Sequence, residues 1–234
     1  MSRSLGPLWA AAEGGPLVVS LPLASSLRYE ALATAIKQLL TRAGLEVFLI
    51  FVRGSRQRLQ AVREGRCHLA AMSSFAAAEL CGPEDRVVVE LAPNSYNTGH
   101  RVFSSPADPH RPLRVIVDRH SADQQLLTAL EFAGTEIELL PAMTAQITRL
   151  LTNGQADAAV WTSDEMQATR LGGILDRPLA ASVRARIGDT DTRAALVGRA
   201  SDAAVMQALI AQVDAAHVAE IQLDVMSGHV VPEY

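Results

Sequence analysis

The chain has 234 residues, 49% hydrophobic, 20% charged and 4% aromatic, with a net charge of -4 at pH 7. That length and apolar content can bury a core and divide it between two small lobes, and the acidic balance excludes a general affinity for the polyanionic backbone of nucleic acid. Two cysteines, Cys67 and Cys81, are too few for a disulfide framework and lack zinc-ligand spacing, and no stretch approaches the ~20 apolar residues of a membrane span.

Residues 1–16 carry an apolar run broken by Gly6-Pro7 and closed by Gly14-Gly15-Pro16, which reads as a tail or linker. A secretory signal needs an unbroken apolar stretch and a small-residue cleavage site, and a lipid anchor needs a cysteine near the start, so a cytoplasmic location is expected. Strand 17–23 ends at Pro22, and Ser25 or Ser26 caps a helix whose buried face carries Tyr29, Leu32, Ile36, Leu39 and Leu40. Gly44 stops that helix. Strand 46–52 leads to Arg53-Gly54-Ser55, where Ser55 caps a helix holding Leu59 and Val62 inside, and a buried strand follows that ends at Ser73-Ser74.

A short helix to Cys81, the breaker Gly82-Pro83 and a strand over 86–91 come next. Residues 92–112 hold four prolines and read as a crossover. The second half then repeats the first: strand 113–118, helix 121–133 with Ser121 as cap and Asp123 on the helix dipole, strand 136–140, helix 144–152 and strand 156–162. Residues 164–193 are less regular, 194–199 form a return strand, and 201–226 are expected to make one long helix.

The repetition is explicit in the residues. Gly65-Arg-Cys-His68-Leu-Ala-Ala-Met-Ser73-Ser74 returns as Gly154-Gln-Ala-Asp157-Ala-Ala-Val-Trp161-Thr162-Ser163, each a helix-stopping glycine, a polar residue and a doubly buried strand ending in hydroxyls. Upstream, Ala43-Gly44-Leu45-Glu46-Val47 is echoed by Ala133-Gly134-Thr135-Glu136-Ile137. Two βαβαβ units imply two parallel sheets covered by helices. The expected fold class is therefore α/β, a two-lobed architecture of the type 2 periplasmic-binding-protein kind with a two-strand hinge. Lobe one takes residues 17–100 and 194–234, and lobe two takes 101–193.

Ligands of open α/β sheets sit beyond the carboxyl ends of the strands. Ser20, Ser25 and Ser26 lie at one such end and helix N-terminus, Arg53 and Ser55 at a second, and Ser73 and Ser74 at a third, a combination that favours an anion. The competing reading makes the serines caps and pairs Arg53 with Glu30 or Glu79. In lobe two, Asp118, Ser121, Asp123, Gln124, Trp161, Asp164 and Glu165 would suit a zwitterion or amine, with Trp161 offering a cation-π face; alternatively Asp164-Glu165 simply opens a helix. Asn94, Ser95, Tyr96 and His100 reach the ligand from the hinge, although for His100 a structural hydrogen bond is the better expectation. Arg56, Arg58, Arg63 and Arg66 read as a solvated face or subunit contact, since no aromatic residues are interleaved for base stacking.

Six histidines show no metal spacing, and nucleophile-elbow, Walker and dinucleotide motifs are absent from the sequence, so catalytic residues, metal and cofactor are all expected to be none. An enzyme on the same fold, deaminase-like or transferase-like, stays open as the alternative, with Asp118, Asp164 or His100 as its titratable group. A transporter's solute-binding component is a weaker third reading.

The blocks Val18-Val19-Ser20-Leu21-Pro22-Leu23, Ser26 with Arg28-Tyr29-Glu30, Arg53-Gly54-Ser55 with Arg58, Asn94-Ser95-Tyr96 with His100, Asp123-Gln124 and Ala158-Ala159-Val160-Trp161 with Asp164-Glu165 resemble the C-terminal domain of the YhfZ family. The resemblance brings Arg28 into the expected site. It implies a sensor domain that follows a helix-turn-helix domain in transcriptional regulators, commonly homodimeric, and the strand-end residues above give the expected ligand as a small anionic or zwitterionic metabolite. Sixteen residues before the first strand do not hold such a helix-turn-helix, so DNA is an expected partner only through an attached or partner domain.

Overall fold

The computed structural model describes residues 15–106, 110–167 and 173–234; the expected tail lies, through residue 14, outside them. The first unit is β1 (Leu17–Leu21), α1 (Leu27–Arg42), β2 (Val47–Phe51), α2 (Ser55–Arg63), β3 (Leu69–Ser73), α3 (Ser74–Leu80) and β4 (Asp85–Glu90). β5 (His100–Ser104) follows, then β6 (Leu113–Val117), α4 (Ala122–Glu131), β7 (Ile137–Pro141), α5 (Thr144–Thr152), β8 (Ala158–Thr162) and α6 (Ser163–Gln167). The chain closes with β9 (Leu175–Pro178), α7 (Ala181–Ile187), β10 (Ala194–Arg199), α8 (Ala203–Leu209) and α9 (Ala215–Met226).

Two five-stranded sheets result, ordered β2-β1-β3-β10-β4 and β7-β6-β8-β5-β9. In the first, β1 runs parallel to β2 from Leu17 opposite Val47 to Leu21 opposite Phe51, and parallel to β3 on its other side. In the second, β6 repeats this against β7 and β8. Each sheet is completed by one antiparallel strand, β10 against β3 and β5 against β8. β5 enters the second sheet before its unit begins, and β10 re-enters the first after that unit ends, which produces two connections between the lobes.

The sequence echo has a common hydrogen-bond pattern. His68 Nδ1 accepts from the Val18 amide at 2.9 Å, and Asp157 Oδ2 accepts from the Arg114 amide at 2.8 Å. The backbone replies in kind, His68 N to Val18 O at 2.9 Å and Asp157 N to Arg114 O at 2.8 Å. A polar residue three positions after each glycine therefore satisfies the amide that would otherwise be orphaned at the start of the central strand. The glycines themselves, Gly65 (φ 74°) and Gly154 (φ 64°), take the left-handed conformation that ends α2 and α5.

In the lobe-one core, Leu32, Ile36 and Leu40 of α1 pack with Val218, Ile221 and Val225 of α9. Buried aliphatic side chains of this kind contribute about 1.5–3 kcal/mol each, and they fasten the C-terminal helix to the lobe in which the chain began.

Three expectations change. The 201–226 helix is two helices, because Asp214 accepts from the Ala216 and His217 amides and so caps a new start at Ala215. The 92–112 crossover contains β5, a full member of the second sheet. The region 164–193 contains α6, β9 and α7.

Between the sheets the two connections run side by side. Leu91 N donates to Ala194 O at 2.8 Å, Tyr96 N to Thr192 O at 2.9 Å, and Ala194 N to Ser95 Oγ at 2.9 Å. Gln222 of α9 donates to Ser95 O at 2.8 Å, which ties this hinge to the C-terminal helix.

Candidate ligand-binding cleft

A cavity of about 350 Å³ lies between the two sheets and is lined from both sides. Ser25 and Tyr29 reach it from the β1–α1 end, and Arg53, Gly54, Ser55 and Arg58 from the β2–α2 end. Tyr96, Asn97 and His100 come from the hinge, Asp118, Ser121, Asp123 and Gln124 from the β6–α4 end, and Val160, Trp161, Thr162 and Glu165 from the β8–α6 end. These are carboxyl ends of parallel strands, where the fold leaves helix N-termini free to meet a ligand.

Among the described residues, five side-chain pairs away from the hinge bridge the lobes: Ser25 with Glu165, Arg28 with Asp164 at 3.2 Å, Arg53 with Asp118, Gln57 with His120, and Ser73 with Asp123. Phe75 of α3 packs in the lobe-two core beside Leu127 and Val183. The lobes are therefore closed on one another. Gly54 (φ 81°) marks the closest approach, since a Cβ there would run into the carbonyl oxygen and Cβ of His120. Gly54→Ala is expected to hold the lobes apart and also to strain the loop by on the order of 1–2 kcal/mol. Small-angle scattering should show a larger radius of gyration for the variant, and a wild-type profile would remove this assignment.

Arg58 is the most unusual charge. Its side chain is buried, the residue being 3% exposed. Nε donates to Ala71 O at 2.7 Å, Nη1 to Val52 O at 2.8 Å and Nη2 to the Tyr96 hydroxyl at 3.0 Å. None of these partners is a carboxylate, whereas Arg28, Arg53 and Arg63 are all ion-paired. The Tyr96 ring meets Tyr29 edge-on with centroids 5.2 Å apart, and burial pushes the Tyr96 hydroxyl up to about 12, which keeps it neutral.

On the facing side burial raises the Asp123 carboxyl above its ordinary range, although His100 and the Ser73 hydrogen bond oppose it. Burial raises Glu165 likewise, against hydrogen bonds from Ser25 and Thr162. For His100 burial acts downward, but the Asp191 hydrogen bond at 2.8 Å and the charges of Asp191, Asp123 and Glu165 prevail and its pKa rises. Gln124 is a brace: its Oε1 accepts from the Asp118 amide, and its Nε2 donates to Val160 O at 3.0 Å.

Of the residues singled out from sequence, Ser25, Arg53, Ser55, Tyr96, His100, Asp118, Ser121, Asp123, Gln124, Trp161 and Glu165 lie in this lining. The others stand behind or beside it. Ser20 is fully buried in β1. Ser26 caps α1 and Ser73 caps α3, each accepting a backbone amide. Ser74 is buried within α3, and Ser95 holds the hinge. Arg28 joins Asp164 to the Asn94 carbonyl, and Asn94 itself is exposed with φ 63°. Arg53 pairs with Asp118 rather than Glu30 or Glu79.

Two expectations about α2 are corrected. Ser55 does not cap it: Gly54 occupies the N-cap position, there is no side-chain cap, and Ser55 Oγ is buried without a partner among the described residues. Arg58 is not on a solvated face. Ser55, Arg58, Leu59 and Val62 fall at i, i+3, i+4 and i+7, the inward stripe of a helix, so the spacing itself marked Arg58 as buried. Tyr29, Asn97 and Thr162 are further lining residues not singled out from sequence as ligand contacts. Among the described residues no group of three or more His, Cys, Asp or Glu is placed to hold a metal ion, and no helix is long and apolar enough to cross a membrane.

Two α/β lobes of matching strand order, joined by paired connections with a cavity between them, define a binding-protein-like fold of the type 2 kind. Within that class the chain belongs to the YhfZ C-terminal domain family, whose match spans residues 6–234. It is 26% identical over 219 residues to the uncharacterized protein YhfZ of Escherichia coli (strain K12), covering 93% of this chain and 71% of that protein. It is similar to the crystal structure of YhfZ from Shigella flexneri at 27% identity and a TM-score of 0.77, covering 94% of this chain and 93% of that one. The periplasmic aliphatic sulphonate binding protein SsuA from Escherichia coli shares the fold at 18% identity and a TM-score of 0.63, with coverage of 92% and 75%.

Proposed function

We propose that this domain is the effector-binding part of a YhfZ-like transcriptional regulator, closing its lobes on a small anionic or zwitterionic metabolite in the cytoplasm. The observation that carries the reading is Arg58, a buried guanidinium with no carboxylate partner among the described residues, opening on a cavity that both lobes line. A buried charge without a counterion is costly and is retained where a ligand supplies the opposite charge. SsuA, which shares the fold, is an aliphatic sulphonate binding protein, and a sulphonate is a small anion. Because ligand contacts both lobes, its binding free energy favours the closed arrangement over open ones, and that bias is what an attached or partner DNA-binding domain, in a homodimer, would read.

A thermal-shift screen against metabolite carboxylates, amino acids, sulphonates and phosphate esters tests it. A ligand at a hundred times its Kd stabilises by about 2.7 kcal/mol, which for a chain of this size raises the midpoint by roughly 5–10 °C. A screen with no shift in any class would overturn the reading.

A further inference from the structure

We infer that the cleft takes a short zwitterion in a fixed orientation, its acid group on Ser55 and Arg58 of lobe one and its ammonium on Asp123 and Glu165 of lobe two. This rests on the metabolite-binding reading above and narrows it to one charge class.

The acid end follows from unused donors. A guanidinium carries five N–H groups in a planar fork, and Arg58 spends three of them on Ala71 O, Val52 O and the Tyr96 hydroxyl. Two remain. Ser55, 4% exposed, presents a hydroxyl that makes no hydrogen bond among the described residues, and it opens the first turn of a nine-residue helix without a side-chain cap. A fork, a hydroxyl and a helix N-terminus three residues apart on one helix face address one oxyanion. Arg53 is not needed for this, since Asp118 already neutralises it.

The ammonium end follows from charge balance. With Arg53 cancelled by Asp118 and His100 paired with Asp191, the compartment holds one guanidinium, Arg58, against two further carboxylates, Asp123 and Glu165. A ligand bearing only an acid would add negative charge to a compartment already short of positive charge. An amine alone would leave Arg58 without a counterion. A zwitterion answers both, with each of its ends facing the opposite charge. Asp123 is 6% exposed and, among the described residues, accepts only the Ser73 hydroxyl, through Oδ1, so its second oxygen is left for a donor. Burial lifts both Asp123 and Glu165 above the ordinary carboxylate range, the condition in which a ligand ammonium replaces a proton most readily. The size agrees: at about 30 Å³ for a water-sized group, a cavity of about 350 Å³ admits a short chain with one charge at each end.

The test uses matched probes on the whole chain. β-Alanine, taurine and 2-aminoethylphosphonate are compared by calorimetry with the same acids lacking the amine (propionate, ethanesulphonate, ethylphosphonate) and with ethylamine, which lacks the acid. At least one zwitterion is expected to bind about tenfold or more tightly than its amine-free acid and than ethylamine, one charge-assisted hydrogen bond being sufficient for that ratio. Ser55→Ala should weaken the zwitterion and its amine-free acid together. Asp123→Asn, which keeps the Ser73 hydrogen bond, should weaken the zwitterion about tenfold or more while leaving the amine-free acid no weaker. An amine-free acid that equals its zwitterion, or an Asp123→Asn variant with wild-type affinity, overturns the ammonium end and leaves metabolite binding standing. If these probes fail while the wider screen finds a ligand without an amine, this inference alone falls; if both fail, the functional reading falls with it.

Discussion

Arg58→Met is expected to weaken binding of the domain's ligand by two orders of magnitude or more while moving the unfolding midpoint by only about 5 °C or less. The binding loss follows from the two donors that Arg58 has in reserve. A charge-assisted hydrogen bond contributes about 1.5–3 kcal/mol, and two of them in a closed cleft exceed the ~2.7 kcal/mol that corresponds to a hundredfold change. Stability responds differently because two effects oppose each other. Methionine leaves the Ala71 and Val52 carbonyls and the Tyr96 hydroxyl without their donor, at about 1–3 kcal/mol for each buried group not rescued by water. It also removes a buried cation that has no carboxylate partner, and relief of that desolvation is worth several kcal/mol. Arg58→Lys separates charge from geometry: it retains the cation but not the fork, and should fall between wild type and methionine. Calorimetric affinity within threefold of wild type for Arg58→Met would show that the anion lies elsewhere.

A buried charge on an otherwise apolar helix face is what local patterning reads least well. The two sheets were legible because Gly44, Gly65, Gly134 and Gly154 punctuate the chain at repeated offsets and the apolar runs between them have strand length. The spacing predicts one long C-terminal helix because Val205, Leu209 and Val213 keep a four-residue interval across the break, and only the local competition of the Asp214 carboxylate with the helix backbone reveals it. In α2 the spacing did mark Arg58, but its basic neighbours Arg56, Arg63 and Arg66 suggested solvent. Arg56 and Arg66 are in fact exposed, and Arg63 is held by Asp85 and Glu84. Residue types on one strip of chain do not say which of them turns inward.

The cleft itself was legible as a set of strand ends and illegible as a set of pairs. Arg53 with Asp118 and Ser25 with Glu165 join positions 65 and 140 residues apart. Those partnerships depend on how the lobes close, which no periodicity encodes. The hinge side is similar: Asn97 donates to Asp191 O at 2.9 Å and His100 meets the Asp191 carboxylate, from a segment in which prolines obscured the strand pattern.

Asp157→Ala should lower the midpoint of the lobe-two transition by roughly 6–15 °C, with the difference from wild type closing in acid. Asp157 has a side chain 1% exposed between two arginines. Arg111 donates to it at 2.6 and 2.8 Å, Arg114 at 3.1 and 3.3 Å, and the Arg114 amide at 2.8 Å. Removing one partner of a buried ion pair costs about 3–5 kcal/mol, and here it also orphans an amide at the start of β6. Both arginines retain partial access to water, which favours the lower half of that range. The Arg111 hydrogen bonds, ahead of those from Arg114, hold the Asp157 carboxyl well below its ordinary value. Its contribution is therefore complete above the unfolded aspartate pKa of ~3.9 and fades as the pH falls below that toward the depressed folded value. Lobe one supplies the comparison: His68 fills the same place in the repeat and receives the Val18 amide on an imidazole nitrogen rather than on a carboxylate oxygen. Scanning calorimetry of Asp157→Ala between pH 7 and 3 should show the gap narrowing, and Asp157→Asn, which keeps an acceptor for the amide, should recover part of the loss. A gap that stays constant across that range would mean that packing, not the ion pair, is what Asp157 contributes.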